Sequence, residues 1–359
     1  MHHGGTRLTA RAALVTAVTL ATVSPVPALA AGTSAPALTG RSPAHAPATG
    51  ATAATVSALT VLTAAPPAPR APVLTAAPGA LSFTPASATP AAPAAGRRAS
   101  VPSVPGRAAY LYDAGTGTIH LSKQAGKRMP VASLTKVMTA YVVLREAKPT
   151  DTVTIQAADV RHAATNGATH ASLRAGERLT VRDLLYAVML PSGADASHAL
   201  ARVYGPGNAA FVAKMNATAR SMGLVDTRYA SADGLPKPAP GYSTALDQAK
   251  LADLALRDPL LRIIASTRRH VVAKSKVHRA HSWTNSNKLL GKTPGVMGLK
   301  TGYTSAAGYC LSFAADRDGH RLVGVILGES NADRRFQSAT RLLDWASEQT
   351  APEQTVPEL

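Results

Sequence analysis

The fold is decided by residues 296–327, which read VMGLKTGYTSAAGYCLSFAADRDGHRLVGVIL. Three short apolar runs in this stretch have strand character: Val296–Leu299, Tyr309–Ala314 and Leu322–Leu327. Between the last two runs, Asp316–Gly319 predicts a tight hairpin turn, because Asp-Gly accepts the positive φ angles that such turns need. Strands joined by short turns pair antiparallel, so this stretch predicts part of an antiparallel sheet.

The start of the domain is expected to supply further strands to the same sheet. Ala108–Tyr112 and Thr118–Leu121 are strand-like runs on either side of the turn sequence Ala114–Gly117. Apolar residues at helical spacing predict the helices Ser133–Glu146, Val181–Leu190, Asp195–Val203, Asn208–Met222, Ala245–Leu256 and Ala332–Ser347. This order of elements predicts an α+β fold, an antiparallel sheet flanked by helices.

The first 105 residues do not have the composition of a folded domain. Arg7 and Arg11 precede a short apolar stretch, and Ala28–Ala30 is a small-x-small cleavage sequence, so residues 1–30 predict a secretory signal peptide cleaved after Ala30. Residues 31–105, rich in Ala, Pro, Thr and Ser, predict a disordered tether. We therefore expect an exported protein, extracellular or associated with the cell wall, with its domain over 106–350 and a tail over 351–359.

The chain is strongly basic, with 38 Lys and Arg against 20 Asp and Glu and a formal net charge of +18. Residues 1–100 hold six arginines and no acidic residue, which leaves +12 on the remainder. Such a surface favours polyanions, and the anionic polymers of a cell wall are candidate partners. No run interleaves Lys and Arg with aromatic residues, so we do not expect nucleic acid as a partner.

The first candidate for catalysis is Ser133-Leu-Thr-Lys136, at the start of a predicted helix. Positions i and i+3 share a helix face, so the amine of Lys136 can reach the hydroxyl of Ser133. A desolvated lysine near another cation can be neutral and take the proton of a serine. The structural alternative is that Ser133 is an ordinary helix N-cap.

The second candidate is Lys300-Thr301-Gly302, at the end of a strand-like run. If this strand edge lines a cleft, Lys300 and Thr301 are suited to bind a ligand carboxylate, and Gly302 leaves room for close approach of the backbone. The backbone N–H groups of Ser133 and Tyr303 would then form an oxyanion hole. An ordinary Lys-Thr-Gly turn is the structural alternative.

The third candidate is Ser192, in a loop predicted between two helices. Its hydroxyl could relay a proton between Lys136 and a leaving amine, although Pro-Ser-Gly is also common in turns. His278 and His281 lie close in sequence, but no third ligand or acidic base follows at a useful spacing. A metallopeptidase is therefore disfavoured, and we expect neither a metal nor another cofactor.

In this order, the three elements resemble the active-site motifs of penicillin-binding proteins and serine β-lactamases. The similarity to low-molecular-mass D-alanyl-D-alanine carboxypeptidases extends to residues 132–139, Tyr229–Leu235, Tyr242–Ala245, Asn285–Leu290 and 298–310. It covers roughly residues 106–346. The resemblance implies a β-lactamase/transpeptidase-like fold with an all-helical subdomain and an acyl-serine intermediate. It also implies a peptidoglycan stem peptide ending in D-Ala-D-Ala as substrate and β-lactams as covalent inhibitors.

The resemblance thus predicts a serine-type carboxypeptidase of the penicillin-recognising serine hydrolase superfamily. Its catalytic residues would be Ser133, Lys136 and Ser192, and its substrate-binding residues Lys300, Thr301 and Gly302. The second motif of the family usually ends in Asn, where this chain has Ala194. A D,D-transpeptidase of the same superfamily and a non-catalytic wall-binding protein are the alternatives. A β-lactamase is disfavoured, because no Glu-x-x-Leu-Asn segment is present.

Overall fold

A computed structural model of the protein describes residues 100–237 and 240–350. The predicted signal peptide, residues 31–99 of the predicted tether and the predicted tail lie outside the described residues. Within the described ranges, the chain has the α+β fold that the sequence predicts. No helix in these ranges combines the length and the apolar character needed to cross a membrane.

The described residues form nine strands and eight α-helices. The strands are β1 (Ala108–Asp113), β2 (Ile119–Lys123), β3 (Thr152–Thr154), β4 (Arg178–Thr180), β5 (Arg269–Val272), β6 (His281–Thr284), β7 (Val296–Thr304), β8 (Gly308–Arg317) and β9 (His320–Glu329). The helices are α1 (Thr135–Glu146), α2 (Ala157–Thr165), α3 (Val181–Met189), α4 (Ala194–Tyr204), α5 (Asn208–Ser221), α6 (Ala245–Leu256), α7 (Pro259–Ser266) and α8 (Arg334–Thr350).

The main sheet has five antiparallel strands in the order β2-β1-β9-β8-β7. Both ends of the domain therefore contribute to it, as the sequence predicts. The predicted hairpin between β8 and β9 is also confirmed, since Asp318 and Gly319 have φ angles of +50° and +81°. Strand β7 is at one edge, which leaves its outer side available to the residues of the site.

Apolar side chains cover both faces of this sheet, as the strand period of two requires. In β1, Ala108 and Tyr110 join the larger core, whereas Ala109 and Leu111 join a smaller one. Helix α8 covers the smaller core, and the other helices supply most of the larger one. Val104, which lies in the predicted tether, packs in the smaller core.

Two small two-stranded sheets and two helices accompany the elements that the sequence predicts. The pairs β3–β4 and β5–β6 are antiparallel, and α2 and α7 are additional helices. Helix α2 begins with a capping box in which Gln156 and Asp159 exchange hydrogen bonds with each other's backbone N–H. This helix supplies one of the residues that support the site.

Candidate active site

Ser133 lies in a turn of 3₁₀ helix, Ala132–Leu134, that leads into α1. Helix α1 begins at Thr135, and the side chain of Ser133 makes no capping bond. Ala132 has a φ of +49°, a conformation that is strained for a residue with a Cβ and that packing must maintain. Gly234, at φ +81°, is part of that packing, because a side chain there would overlap the carbonyl of Ala132.

The amine of Lys136 is the closest polar partner of the Ser133 hydroxyl. Its Nζ donates to Ser133 Oγ at 3.1 Å and to the main-chain oxygen of Asp233 at 2.8 Å. Lys136 is 2% exposed, and this burial lowers its pKa to about 8 although the charges of Asp233 and Asp195 act in the opposite direction. About a tenth of such an amine is neutral at pH 7, which makes it a suitable base for a serine.

Asp233 is a site residue that sequence reasoning missed. Its carboxylate is almost fully buried and lies 2.6 Å from Nε2 of His162. Burial alone would raise the pKa of Asp233, but the hydrogen bond from His162 and the charge of Lys136 lower it to about 2. The His162–Asp233 pair joins residues 71 positions apart, so no local sequence pattern could reveal it.

The Lys300-Thr301-Gly302 sequence lies in the middle of β7, whereas we expected it at the end of a strand. Lys300 is 1% exposed, and its Nζ donates to the main-chain oxygen of Thr301 at 3.0 Å. Burial lowers the pKa of Lys300 well below its usual value, and the neighbouring charges of Lys136 and Arg335 lower it further. The structure thus brings the two predicted lysines within electrostatic reach of each other.

Gly302 lets β7 run directly against the Ser133 turn. A Cβ at this position would lie 3.0 Å from the oxygen of Val131 and 3.1 Å from the nitrogen of Ser133. The close backbone approach that we expected at Gly302 is therefore present. The oxyanion hole formed by the N–H groups of Ser133 and Tyr303 stays a prediction.

Ser192 lies between α3 and α4, in the loop that the sequence predicts. It has a φ of +68°, and within the described chain its buried Oγ has no hydrogen-bond partner. Ser286 links this loop to β7, because its N–H donates to the oxygen of Leu190 at 3.0 Å and its hydroxyl lies 2.6 Å from Thr301 Oγ1. Ser286 is a second residue that sequence reasoning left without a role.

The residues after Ser192 hold its loop in place. The carboxylate of Asp195 accepts the N–H groups of Ala171, Leu173 and Ala196 at 2.8–3.1 Å. Ala194, which replaces the usual Asn of the motif, is fully buried, and its methyl group offers no hydrogen bond. Asp195 therefore fixes the backbone just after the motif, while the side chain at position 194 offers no hydrogen bond.

Arg335 on α8 is a third residue that was missed. Its guanidinium is buried behind the site and donates from Nη1 to the oxygens of Gly302 at 2.9 Å and Cys310 at 3.1 Å. Burial lowers the pKa of Arg335, and it is one of the cations that act on Lys300. Arg335 therefore fixes β7 and adds positive potential to the site.

The two histidines considered as zinc ligands have other partners. Nε2 of His281 lies 3.2 Å from Oε1 of Glu177, and its ring stacks on Trp283. Nδ1 of His278 lies 3.0 Å from the main-chain oxygen of Arg279. In residues 100–237 and 240–350, no three His, Cys, Asp or Glu side chains are grouped so as to hold a metal ion.

Comparison with known proteins places the chain in a family. A family model described as D-alanyl-D-alanine carboxypeptidase, of the S11 peptidases, matches residues 95–331. The chain belongs to this family. The D-alanyl-D-alanine carboxypeptidase of Streptomyces sp. strain K15 is 35% identical over 281 residues, which are 75% of this chain and 93% of that protein. DacF of Bacillus subtilis is 32% identical over 259 residues, 71% of this chain but only 65% of DacF.

The structure of this chain is similar to the crystal structure of the Streptomyces K15 DD-transpeptidase. The two have a TM-score of 0.66 and 36% sequence identity, and the match covers 69% of this chain and 98% of that chain. The family model and the two relatives confirm the resemblance that the sequence shows, and the solved structure confirms the predicted fold. The chain is thus an S11 serine peptidase whose Ser133, Lys136 and β7 elements meet at one place.

Proposed function

We propose that this S11 peptidase removes the terminal D-alanine of peptidoglycan stem peptides through an acyl intermediate on Ser133. The observation that carries the proposal is the buried amine of Lys136, 3.1 Å from Ser133 Oγ, beside a strand that carries a second buried lysine, Lys300. An amine with a lowered pKa can remove the hydroxyl proton, and a cation beside a strand edge suits the carboxylate of a peptide end.

In the proposed reaction, neutral Lys136 takes the proton of Ser133 as Oγ attacks the carbonyl carbon between the last two D-alanines. The N–H groups of Ser133 and Tyr303 stabilise the oxyanion, and the C–N bond then breaks. The leaving D-alanine amine receives the proton from Lys136, with Ser192 as the relay. Water finally attacks the ester carbonyl, which frees the peptide and returns the proton to Ser133.

Lys300 and Thr301 are proposed to bind the terminal carboxylate, which accounts for the preference for a chain end. Protonated Lys300 would pair with this carboxylate, and Thr301 would donate from the hydroxyl that now contacts Ser286. Gly302 keeps the strand edge free of a side chain, so the substrate can lie beside β7 as an added strand.

Release of D-alanine from a stem peptide ending in D-Ala-D-Ala tests this function. Ser133→Ala should lower the rate by at least about 1,000-fold, because nucleophile loss removes the covalent route. An unchanged thermal unfolding midpoint would show that the variant is folded. Undiminished hydrolysis by folded Ser133→Ala would contradict the proposal.

A D,D-transpeptidase is the second candidate function. The Streptomyces K15 relatives support it, since one is named a carboxypeptidase and the matching crystal structure a DD-transpeptidase. Both reactions share the acyl-serine step and differ in whether water or an amine attacks. Adding a stem-peptide amine to the assay separates them, because a transpeptidase forms the cross-linked product at the expense of the hydrolysed one.

We also propose that the protein is exported and meets anionic wall polymers. A surface depression of about 700 Å³ supports this role, as it is lined by Arg268, Arg269, Lys288 and Lys292 and by no acidic residue. Arg268→Gln with Lys292→Gln should weaken binding of a poly(glycerol phosphate) about tenfold. Arg220→Gln with Lys250→Gln, which removes the same charge from exposed positions elsewhere, is the control. Equal losses in both variants would contradict a site at the depression.

A further inference from the structure

The base of the proposed reaction is held from one side by a segment that has no assigned role. In the described chain, Nζ of Lys136 has two hydrogen-bond partners, Ser133 Oγ and the main-chain oxygen of Asp233. The first partner is the nucleophile itself. The second, at 2.8 Å, therefore determines where the amine sits while the serine reacts.

The main-chain oxygen of Asp233 can position an amine only if its own segment is fixed. Three bonds fix it: His162 Nε2 with Asp233 Oδ2 at 2.6 Å, the N–H of Leu235 to Asp233 Oδ1 at 3.1 Å, and the N–H of Gly234 to Ser231 Oγ at 3.0 Å. Of these three bonds, only the one from His162 on α2 comes from outside the segment. The Thr139 hydroxyl on α1 also holds the segment, since it donates to the main-chain oxygen of Ala232, but it does not contact the Asp233 carboxylate. The ring of His162 stacks on His198 at 4.5 Å, which restricts its orientation.

The carboxylate of Asp233 also acts on the charge of Lys136. It is 2% exposed, so water screens it little, and it favours the protonated form of the amine. The other charged groups around the amine are Asp195, which acts in the same direction, and Lys300, which lies close enough for the two lysines to repel. On the far side of Asp233, His162 is the titratable neighbour, followed by His198 and its partner Asp159.

We propose that Asp233, anchored by His162, is the positioning residue of Lys136 and sets the pH range over which this amine becomes a base. The proposal rests on the proposed function, since it assigns a support to the lysine of that reaction. The second motif does not share this task in the described chain, because Ser192 Oγ has no hydrogen-bond partner there and Ala194 ends in a methyl group.

The test is the pH dependence of acylation by a fluorescent penicillin, measured as the rate of Ser133 labelling in the whole protein. Asp233→Asn keeps the size of the side chain and an oxygen for the N–H of Leu235, but removes the negative charge. The amine should then lose its proton more easily, and the midpoint of the acid limb of the profile should shift to lower pH by about one unit. His162→Ala removes a hydrogen bond that partly neutralises the carboxylate, so its acid limb should move up.

His162→Gln, whose amide can still donate to Asp233, should return the limb toward that of the wild type. Asp344→Asn is the matched control, because it removes a carboxylate that pairs with Arg317 at the surface, and it should leave the profile unchanged. A role in folding alone would lower the amplitude without moving the midpoint. The proposal would be overturned if the acid limb has its wild-type midpoint both in His162→Ala and in folded Asp233→Asn. If Asp233→Asn does not fold, a wild-type midpoint in His162→Ala is enough to overturn it. Absence of any labelling in the wild type would instead contradict the proposed function.

Discussion

Two lysines of the site, Lys136 and Lys300, are almost equally buried and yet have opposite surroundings. Lys136 has the carboxylates of Asp233 and Asp195 within electrostatic reach, and its pKa is lowered only to about 8. Lys300 has no such carboxylate among the described residues; its burial and the charges of Lys136 and Arg335 all act to lower its pKa well below the usual value. No carboxylate in the described chain pairs with Lys300.

This difference separates the two tasks of the site. On the α1 side, the carboxylates of Asp233 and Asp195 provide counter-charges for Lys136. These stabilise the protonated amine that forms each time Lys136 takes a proton from Ser133. The β7 side carries positive groups without an internal anion, so a substrate carboxylate would complete it. Substitutions at the two lysines should therefore have different consequences.

The largest effect is expected from Lys136→Met, which keeps the apolar stem and removes the base. Acylation of Ser133 by penicillin should fall by about 1,000-fold at all pH values, because general-base catalysis supplies factors of this size. Rates of labelling by stopped-flow fluorescence would measure it. Lys288→Met, at an exposed lysine paired with Asp333, should retain the wild-type rate. A loss of less than about tenfold in Lys136→Met would show that another group is the base.

A smaller effect, about 100-fold in kcat/KM, is expected from Lys300→Met in hydrolysis of a D-Ala-D-Ala peptide. The two lysines can be distinguished by substrate. A peptide amidated at its C-terminus has no terminal carboxylate, so Lys300→Met should reduce its slower hydrolysis much less. Equal losses with the acid and the amide would contradict a carboxylate-binding role for Lys300.

The pH dependence of the free energy of unfolding should show that the pKa of Lys300 is lowered in the folded protein. A lysine whose pKa is lower in the folded than in the unfolded state takes up a proton on unfolding, so the free energy of unfolding rises with pH up to about 10.5. Lys136 adds to this rise between about 8 and 10.5. Lys300→Met removes its own share, so urea unfolding should give a flatter dependence on pH than in the wild type. An unchanged slope would mean that Lys300 is not desolvated.

The smallest effect is expected from Ser286→Ala. This change removes the 2.6 Å contact with the Thr301 hydroxyl but keeps the N–H bond to Leu190. A single neutral hydrogen bond is worth about 1 kcal/mol, so kcat/KM should fall about fivefold. Peptide hydrolysis would measure the loss, and a loss as large as that of Lys300→Met would contradict the modest role given to Ser286.

Much of the fold could be predicted because its elements have strong periodic patterns. The sheet strands β1, β8 and β9 are apolar on both faces, and α6 was predicted with the bounds Ala245–Leu256 that the structure has. Helix α2 was missed because it buries only Asp159 and Ala163, which gives almost no apolar face. Helix α7 was missed although it is amphipathic, since it has only eight residues, begins at Pro259 and follows α6 after a connection of two residues.

The residues of the site likewise fall into those that a sequence pattern reveals and those that it does not. Ser133, Lys136, Ser192 and Lys300 stand in short motifs, so a sequence can point to them. Asp233, Ser286 and Arg335 act through contacts with residues that are distant in sequence. Asp233 and Ser286 lie in stretches that resemble the family, but the resemblance of those stretches does not say what either side chain contacts. The strained φ at Ala132 is likewise a result of tertiary packing, because no local preference would place an alanine there.

Mass spectrometry of the protein after reaction with penicillin would show which residue is the nucleophile. If it is Ser133, one adduct per chain forms on the peptide that contains Ser133, and folded Ser133→Ala forms none. A folded wild-type protein that forms no adduct, or forms it on another residue, would contradict the assignment of Ser133 as the nucleophile.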